Sequence, residues 1–196
     1  KFFKPNMATD KRLKRMRWIV DQRVFDWAPE LAAAPRRVVD TRVDGRPDRI
    51  AFDFCCVVAQ AVPGMTWIDA KARIMEGVWM PDADERMRWI EDLARSLAVL
   101  ERRGIYHGDV SPYNLIVDPS NRNGVPTLRL IDFDGFTATD AGKLRCLLES
   151  EGGTIGTDGY CPPHFEALRE RGESCVESKS DRFARDMLML ELMLYD

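Results

Sequence analysis

The sequence predicts an α+β fold of two unequal lobes: a small one over residues 1–62 and a mainly helical one over 63–196. Three observations predict it. Strand-like and helical stretches interleave before residue 62. The segment 84–103 carries the clearest helical repeat of the chain. Two short strand-like runs then flank a turn and lead, through a long irregular stretch, into an apolar helix. At 196 residues the chain can bury a real core, and 45% hydrophobic with 31% charged residues is the balance of a folded protein rather than a disordered one.

Lys1 to Lys4 reads as the end of a strand, broken at Pro5. Asp10 is placed to cap a helix over 11–22, in which Leu13, Met16 and Val20 share one face. Residues 36–43 alternate weakly and end at Asp44-Gly45, a hairpin signal. Ile50 to Val58 reads as a buried strand containing Phe52, Phe54, Cys55 and Cys56. Pro63-Gly64 interrupts the pattern and puts the lobe boundary near 59–64. In 84–103, Met87, Ile90, Leu93, Leu97 and Leu100 recur at three- and four-residue steps. Asp82 or Asp84 supplies the N-cap, and Gly104 sits just past the end. Leu115–Val117 and Thr127–Ile131 read as paired strands, joined by turn formers between Pro119 and Gly124. Residues 134–180 read as largely irregular, and so long a loop inside a compact domain is usually functional. The last helix starts near Ser180-Asp181 and runs through Leu194, apolar on nearly all sides, as a helix surrounded by protein should be. Trp18, Trp27, Trp67, Trp79 and Trp89 are expected to pack elements together.

A formal net charge of −3 argues against nucleic acid or an anionic membrane as partner. The basic run Lys11, Arg12, Lys14, Arg15, Arg17 reads as the wet face of a helix. Five cysteines without a CxxC pair, and two histidines, argue against a zinc site. An odd cysteine count with no signal peptide predicts a cytoplasmic setting. No apolar run reaches ~18 residues, so no membrane span is expected. Both ends read as cut, since the chain starts at Lys1 without Met and stops just after an apolar helix.

The chemistry concentrates in His107-Gly108-Asp109-Val110-Ser111-Pro112-Tyr113-Asn114, directly after the long helix. A carboxylate and a carboxamide stand five residues apart in a loop before a short strand. Asp132 follows at the end of the paired strand, in Leu130-Ile131-Asp132-Phe133-Asp134-Gly135. A two-stranded ribbon brings Asn114 and Asp132 together as two hard oxygen ligands, a set that suits Mg²⁺. The carboxylate of Asp109, outside that pair, is placed to orient a hydroxyl and accept its proton. Metal, positioning and base are the parts phosphoryl transfer needs.

These residues resemble the catalytic loop H-R-D-x-x-x-x-N and the D-F-G motif of the protein-kinase family. Gly156-Thr157-Asp158-Gly159-Tyr160-Cys161-Pro162-Pro163 is similar to the end of that family's activation segment, and Lys179-Ser180-Asp181 to the start of its central buried helix. The resemblance covers residues 104–194; the earlier residues match by element order alone. It implies a two-lobed protein-kinase-like fold and a bacterial-type serine/threonine protein kinase. ATP and Mg²⁺ are the implied cofactors, and a protein hydroxyl the acceptor. Asp109 would be the catalytic base, with Thr157 beside it; Asn114 and Asp132 would hold the metal and the nucleotide. His107 would pack within the loop, and Asp181 would bond its backbone. Lys1, with Lys4 as competitor, would meet the ATP phosphates, and Asp21 would be its acidic partner. Ala59, Ala61 and Val62 would form the hinge that receives adenine. The glycine-rich loop over the phosphates would lie upstream of residue 1, so the stretch itself is expected to bind ATP weakly.

Four positions depart from the family pattern. Gly108 replaces an arginine that pairs with phosphorylated activation loops. Ser111 stands where a lysine meets the γ-phosphate, Asp134 replaces the D-F-G glycine, and His164 replaces a bracing glutamate. Gly108 and Ser111 keep open a small alcohol metabolite as acceptor, and a nucleotide-binding scaffold without turnover is the third reading.

Overall fold

The computed structural model describes residues 1–4, 8–45, 53–119, 127–139, 146–148, 156–171 and 178–194. They form a mixed α+β structure with three small sheets of three strands each. Every strand pairing in them is antiparallel.

The first sheet has the order β1-β3-β2, from β1 (Phe2–Phe3), β2 (Pro35–Asp40) and β3 (Cys55–Ala59). Phe2 faces Cys56, and Val39 also pairs with Cys56 from the other side, so β3 is central. β2 and β3 pair antiparallel, as the hairpin signal at Asp44-Gly45 predicts. After β2, a single helical turn α2 (Thr41–Asp44) is capped by Asp40, and residues 46–52 lie outside the described residues. β3 runs Cys55–Ala59 and Phe54 precedes it outside the strand; Ile50 and Phe52 of the expected strand lie outside the described residues.

Helix α1 (Asp10–Gln22) packs on β2. Its cap is Thr9, whose hydroxyl accepts the Arg12 N–H at 3.2 Å, so Asp10 is the first helical residue rather than the cap. Leu13, Met16 and Ile19 are buried along one face. The third hydrophobic position is Ile19 instead of Val20, which is only half-buried.

The second sheet has the order β4-β6-β7, from β4 (Met65–Thr66), β6 (Leu115–Asp118) and β7 (Thr127–Leu130). Helix α3 (Trp67–Met75) follows β4 directly and was not read from the sequence. Helix α4 (Ala83–Arg102) supports this sheet and opens with a full capping box, Asp82 with Glu85, worth about 1 kcal/mol. Asp92 of α4 accepts the Leu128 N–H of β7 at 3.1 Å. Gly104 turns the chain after α4 at φ 66, where an added Cβ would stand 2.6 Å from the Thr139 carbonyl oxygen. The third sheet, β5-β8-β9, joins β5 (Ile105–Tyr106) to β8 (Thr137–Thr139) and β9 (Cys146–Leu148). It and helix α5 (Pro163–Glu170) occupy parts of a stretch expected to be irregular.

Helix α6 (Ser178–Met193) packs on α4. Ala184, Leu188 and Leu192 are buried, but Leu190, Met193 and Leu194 are half or more exposed. The helix is therefore covered on one side, not on nearly all. Among the tryptophans, Trp67, Trp79 and Trp89 cluster and Trp18 stacks on Phe136 at 5.8 Å. Trp27 is 64% exposed and packs no elements together. One hydrophobic cluster runs from Phe3 to Leu192 and carries the loops described next.

Candidate functional site

The loop between β5 and β6 is tied down on two sides. Asp181, in the first turn of α6, accepts the backbone N–H groups of His107 (2.6 Å) and Gly108 (2.9 Å). Burial pushes its carboxyl above the ordinary aspartate pKa, against the opposing pull of His107 and those two N–H groups. His107 is fully buried, with Nε2 2.9 Å from the Ile131 carbonyl and its ring edge-on to Phe133 at 5.0 Å. The backbone of the loop is thus fixed to a helix on one side and to the end of β7 on the other.

Gly108 takes φ 79, and a Cβ there would stand 2.8 Å from the Gly135 carbonyl oxygen. Both the left-handed backbone and the close approach require glycine. That accounts for the missing arginine: no larger side chain fits where the loop meets the 133–135 turn.

Asp109 is half-exposed, and both its carboxylate oxygens are held. Thr157 Oγ1 donates to Oδ1 at 2.7 Å, and Asn114 Nδ2 donates to Oδ2 at 2.9 Å. Asn114 Nδ2 also donates to the Asp109 backbone carbonyl at 2.8 Å. A carboxylate has about four lone-pair positions, so two such bonds orient Asp109 and still leave capacity for an incoming hydroxyl. With Nδ2 turned to Asp109, the carbonyl oxygen of Asn114 is the atom left for a cation. The strand register brings the two main-chain segments together: Leu115 faces Leu130, and the Ile131 N–H donates to the Asn114 main-chain carbonyl at 2.9 Å, one residue before Asp132.

Asp132 adopts φ 60, ψ 73, a left-handed conformation that aspartate tolerates at modest cost and that is common where a site dictates the backbone. Its oxygens both lie 2.9 Å from Lys1 Nζ, and Asp134 Oδ2 lies 2.7 Å from the same atom. Burial lowers the Lys1 pKa and raises that of Asp132. The contacts among Lys1, Asp132 and Asp134 outweigh both effects, so Lys1 ends above the ordinary lysine range and Asp132 below the ordinary aspartate range. The Lys1–Asp132 pair is therefore fully charged through the neutral range. Lys1 reaches this point because it continues β1, exchanging two backbone bonds of 2.9 Å with Val57. Lys4 lies exposed beyond the strand, and Asp21 is exposed near the C-terminal end of α1, away from Lys1's two carboxylates.

Lys1, Asp132 and Asp134 line a cavity of about 350 Å³. That falls in the roughly 300–1,000 Å³ range of small-ligand sites. Val57, Ala59, Gln60 and Val62 line it from the first sheet and the segment after it, and Ile116 and Ile131 from the second sheet. Ala61 is exposed and outside the lining, whereas Gln60, not singled out in the sequence, is part of it. The apolar walls suit a flat ring, and the Lys1 ammonium suits phosphate. Among the described residues no group of three or more His, Cys, Asp or Glu is placed for a metal. Two oxygen ligands from protein are nevertheless the usual complement for Mg²⁺, which keeps waters and phosphate oxygens in the rest of its shell. The donor set therefore fits.

Ser111 is fully buried, and its hydroxyl has no hydrogen-bond partner among the described residues. It presents nothing to an acceptor, so it is no stand-in for a phosphate-binding lysine. His164 is exposed. The segment after Thr157 is braced another way, which the sequence did not reveal. The Tyr160 hydroxyl bonds Glu191 of α6, and Glu191 also accepts from Lys71 Nζ (2.8 Å) and Trp67 Nε1 (3.0 Å) of α3. Cys161 beside it is buried.

No protein-family model matches the chain. Over half its length or somewhat more, it is similar to serine/threonine protein kinases. CBL-interacting protein kinase 20 of Oryza sativa subsp. japonica is 31% identical over 102 residues, 52% of this chain and 21% of that protein. Serine/threonine-protein kinase pkn3 of Myxococcus xanthus is 26% identical over 121 residues, 62% of this chain and 21% of that protein. The matched stretch spans about a fifth of the length of these relatives. The similarity supports a protein-kinase-like chain.

Proposed function

We propose that the chain carries the nucleotide- and metal-binding core of a protein serine/threonine kinase, with residues 1–62 and 63–196 as its small and large lobes. The reading rests on one observation above the others: Asp109 is held on both oxygens by Thr157 and by Asn114, whose main chain bonds Ile131, and the next residue, Asp132, meets Lys1 in the cavity. In this reading Asp109 takes the proton of the acceptor hydroxyl, and Thr157 keeps its carboxylate aimed. The Asn114 carbonyl oxygen and the Asp132 carboxylate hold Mg²⁺, and Lys1 meets the phosphates of ATP. Backbone groups of Ala59, Gln60 and Val62 receive adenine, and the walls from Val57 and Ile131 exclude water from it. Bound Mg²⁺ supplies neutralisation of the charge on the phosphoryl group.

The test is phosphate transfer from ATP to generic protein substrates by the full-length protein. Asp109→Ala should lower it by about a hundredfold or more, with ATP affinity retained. Transfer that survives the substitution, or phosphate found only on a small alcohol, sinks the protein-kinase reading.

A further inference from the structure

In phosphoryl-transfer enzymes of the kinase type, the phosphate-binding lysine is positioned by an acid on a neighbouring helix. Here that helix offers none. The acids of α1 are Asp10 and Asp21, one near each end, and both are exposed. The charged residue that α1 buries is a cation instead, beside apolar Leu13, Met16 and Ile19. Arg15 is buried, donates to the Phe136 carbonyl, and lies 4.9 Å from the Phe136 ring centroid. An acid facing this loop from α1 would have to displace that guanidinium.

The carboxylates that meet Lys1 among the described residues are Asp132 and Asp134. Their duties differ. Under the reading above, Asp132 gives its oxygens to the metal, which leaves Lys1 one anchor. Asp134 is well placed for that. It sits in the turn Phe133–Gly135, one of whose neighbours packs on buried His107 while the other closes against Gly108. Its Oδ2 approaches Nζ at 2.7 Å, and its side chain is less exposed than that of Asp132. We propose that Asp134 is the positioning residue for Lys1, taking over from the second sheet's loop the task that an acid on α1 would perform. The inference rests on the proposed function for its consequence, but the contact itself does not.

The test uses the full-length protein with Lys1→Met, Asp134→Asn and both together, titrated with ATP and Mg²⁺. Asp134→Asn should weaken ATP about tenfold, as expected for loss of a charge-assisted bond. In the Lys1→Met background it should cost nothing further, because Asp134 acts through Lys1. Losses that add, or an unchanged affinity in Asp134→Asn, overturn the proposal. A second readout needs no nucleotide. At fixed pH, acylation of the Lys1 ε-amine, followed by peptide mass spectrometry, should run several-fold faster in Asp134→Asn than in the unsubstituted protein. An equal rate overturns the proposal. If the unsubstituted protein binds no ATP, the kinase reading fails, and the acylation rate still decides whether Asp134 holds Lys1.

Discussion

The two sides of the candidate site are held by different physics. On the side of Asp109, the loop is fixed by backbone bonds to buried Asp181, by fully buried His107, and by a glycine with no room for a side chain. On the side of Lys1, the geometry depends on one ammonium that is 48% exposed and two carboxylates within 2.9 Å of it. Interactions out of water cannot be replaced by water when broken, so they cost heavily to lose. Interactions at the surface exchange partners cheaply. A base that must keep one orientation suits the first kind of support, and a lysine that must pass between carboxylates and phosphates suits the second.

Substitutions at both sides test the contrast. The largest effect on stability is expected from Asp181→Ala, which leaves the His107 and Gly108 N–H groups buried without an acceptor. Each orphaned group costs about 1–3 kcal/mol, partly offset because a buried carboxylate no longer has to be desolvated. A loss of about 3 kcal/mol in urea unfolding, with unchanged slope, is expected; a loss below about 0.5 kcal/mol would show that the loop does not depend on α6. Gly108→Ala should cost about 2 kcal/mol, from positive φ and the contact with Gly135. The same substitution should reduce phosphate transfer, since Asp109 is the next residue. Lys1→Met should shift stability least, by about 0.5 kcal/mol or less, because its partners are solvent-screened. A larger change in the melting temperature would mean that the Lys1 side is as structural as the Asp109 side.

Much of this was legible in the sequence where the signal is local. The helix in 84–103 emerges as read, with Asp82 rather than Asp84 as its cap and Gly104 past its end, because capping and periodicity are properties of neighbouring residues. Of its repeat, Leu93, Leu97 and Leu100 are buried, whereas Met87 is exposed and Trp89 is buried in its first turns. The pairing of β6 with β7 emerges as well, with the Ile131 N–H bonded to the Asn114 main-chain carbonyl. Helix α3 was missed although its signal was present: Thr66 caps by accepting the Asp69 N–H, and Trp67, Ala70 and Ile74 are buried at helical spacing. It begins three residues after the turn signal Pro63-Gly64, and a helix so close behind such a break shows only two turns of pattern. Other misreadings have a different cause. An apolar helix such as α6 shows which residues share a face, but not which face a neighbour will cover. Trp27 and Met193 look like core by residue type and are exposed by placement.

By itself, the sequence determined the local pieces: the helix with its caps, the two strands β6 and β7, and the spacing that lets Asn114 fold back onto Asp109 within one loop. Only the tertiary structure decided that Thr157 reaches Asp109 from 48 residues away, Asp181 reaches His107 from 74, and Lys1 reaches Asp132 from 131. A residue's immediate neighbours specify dihedral preferences and hydrogen bonds close along the chain. Which distant group fills the remaining bond is set by how buried surfaces pack, and so Lys1 meets Asp134 rather than an acid of α1.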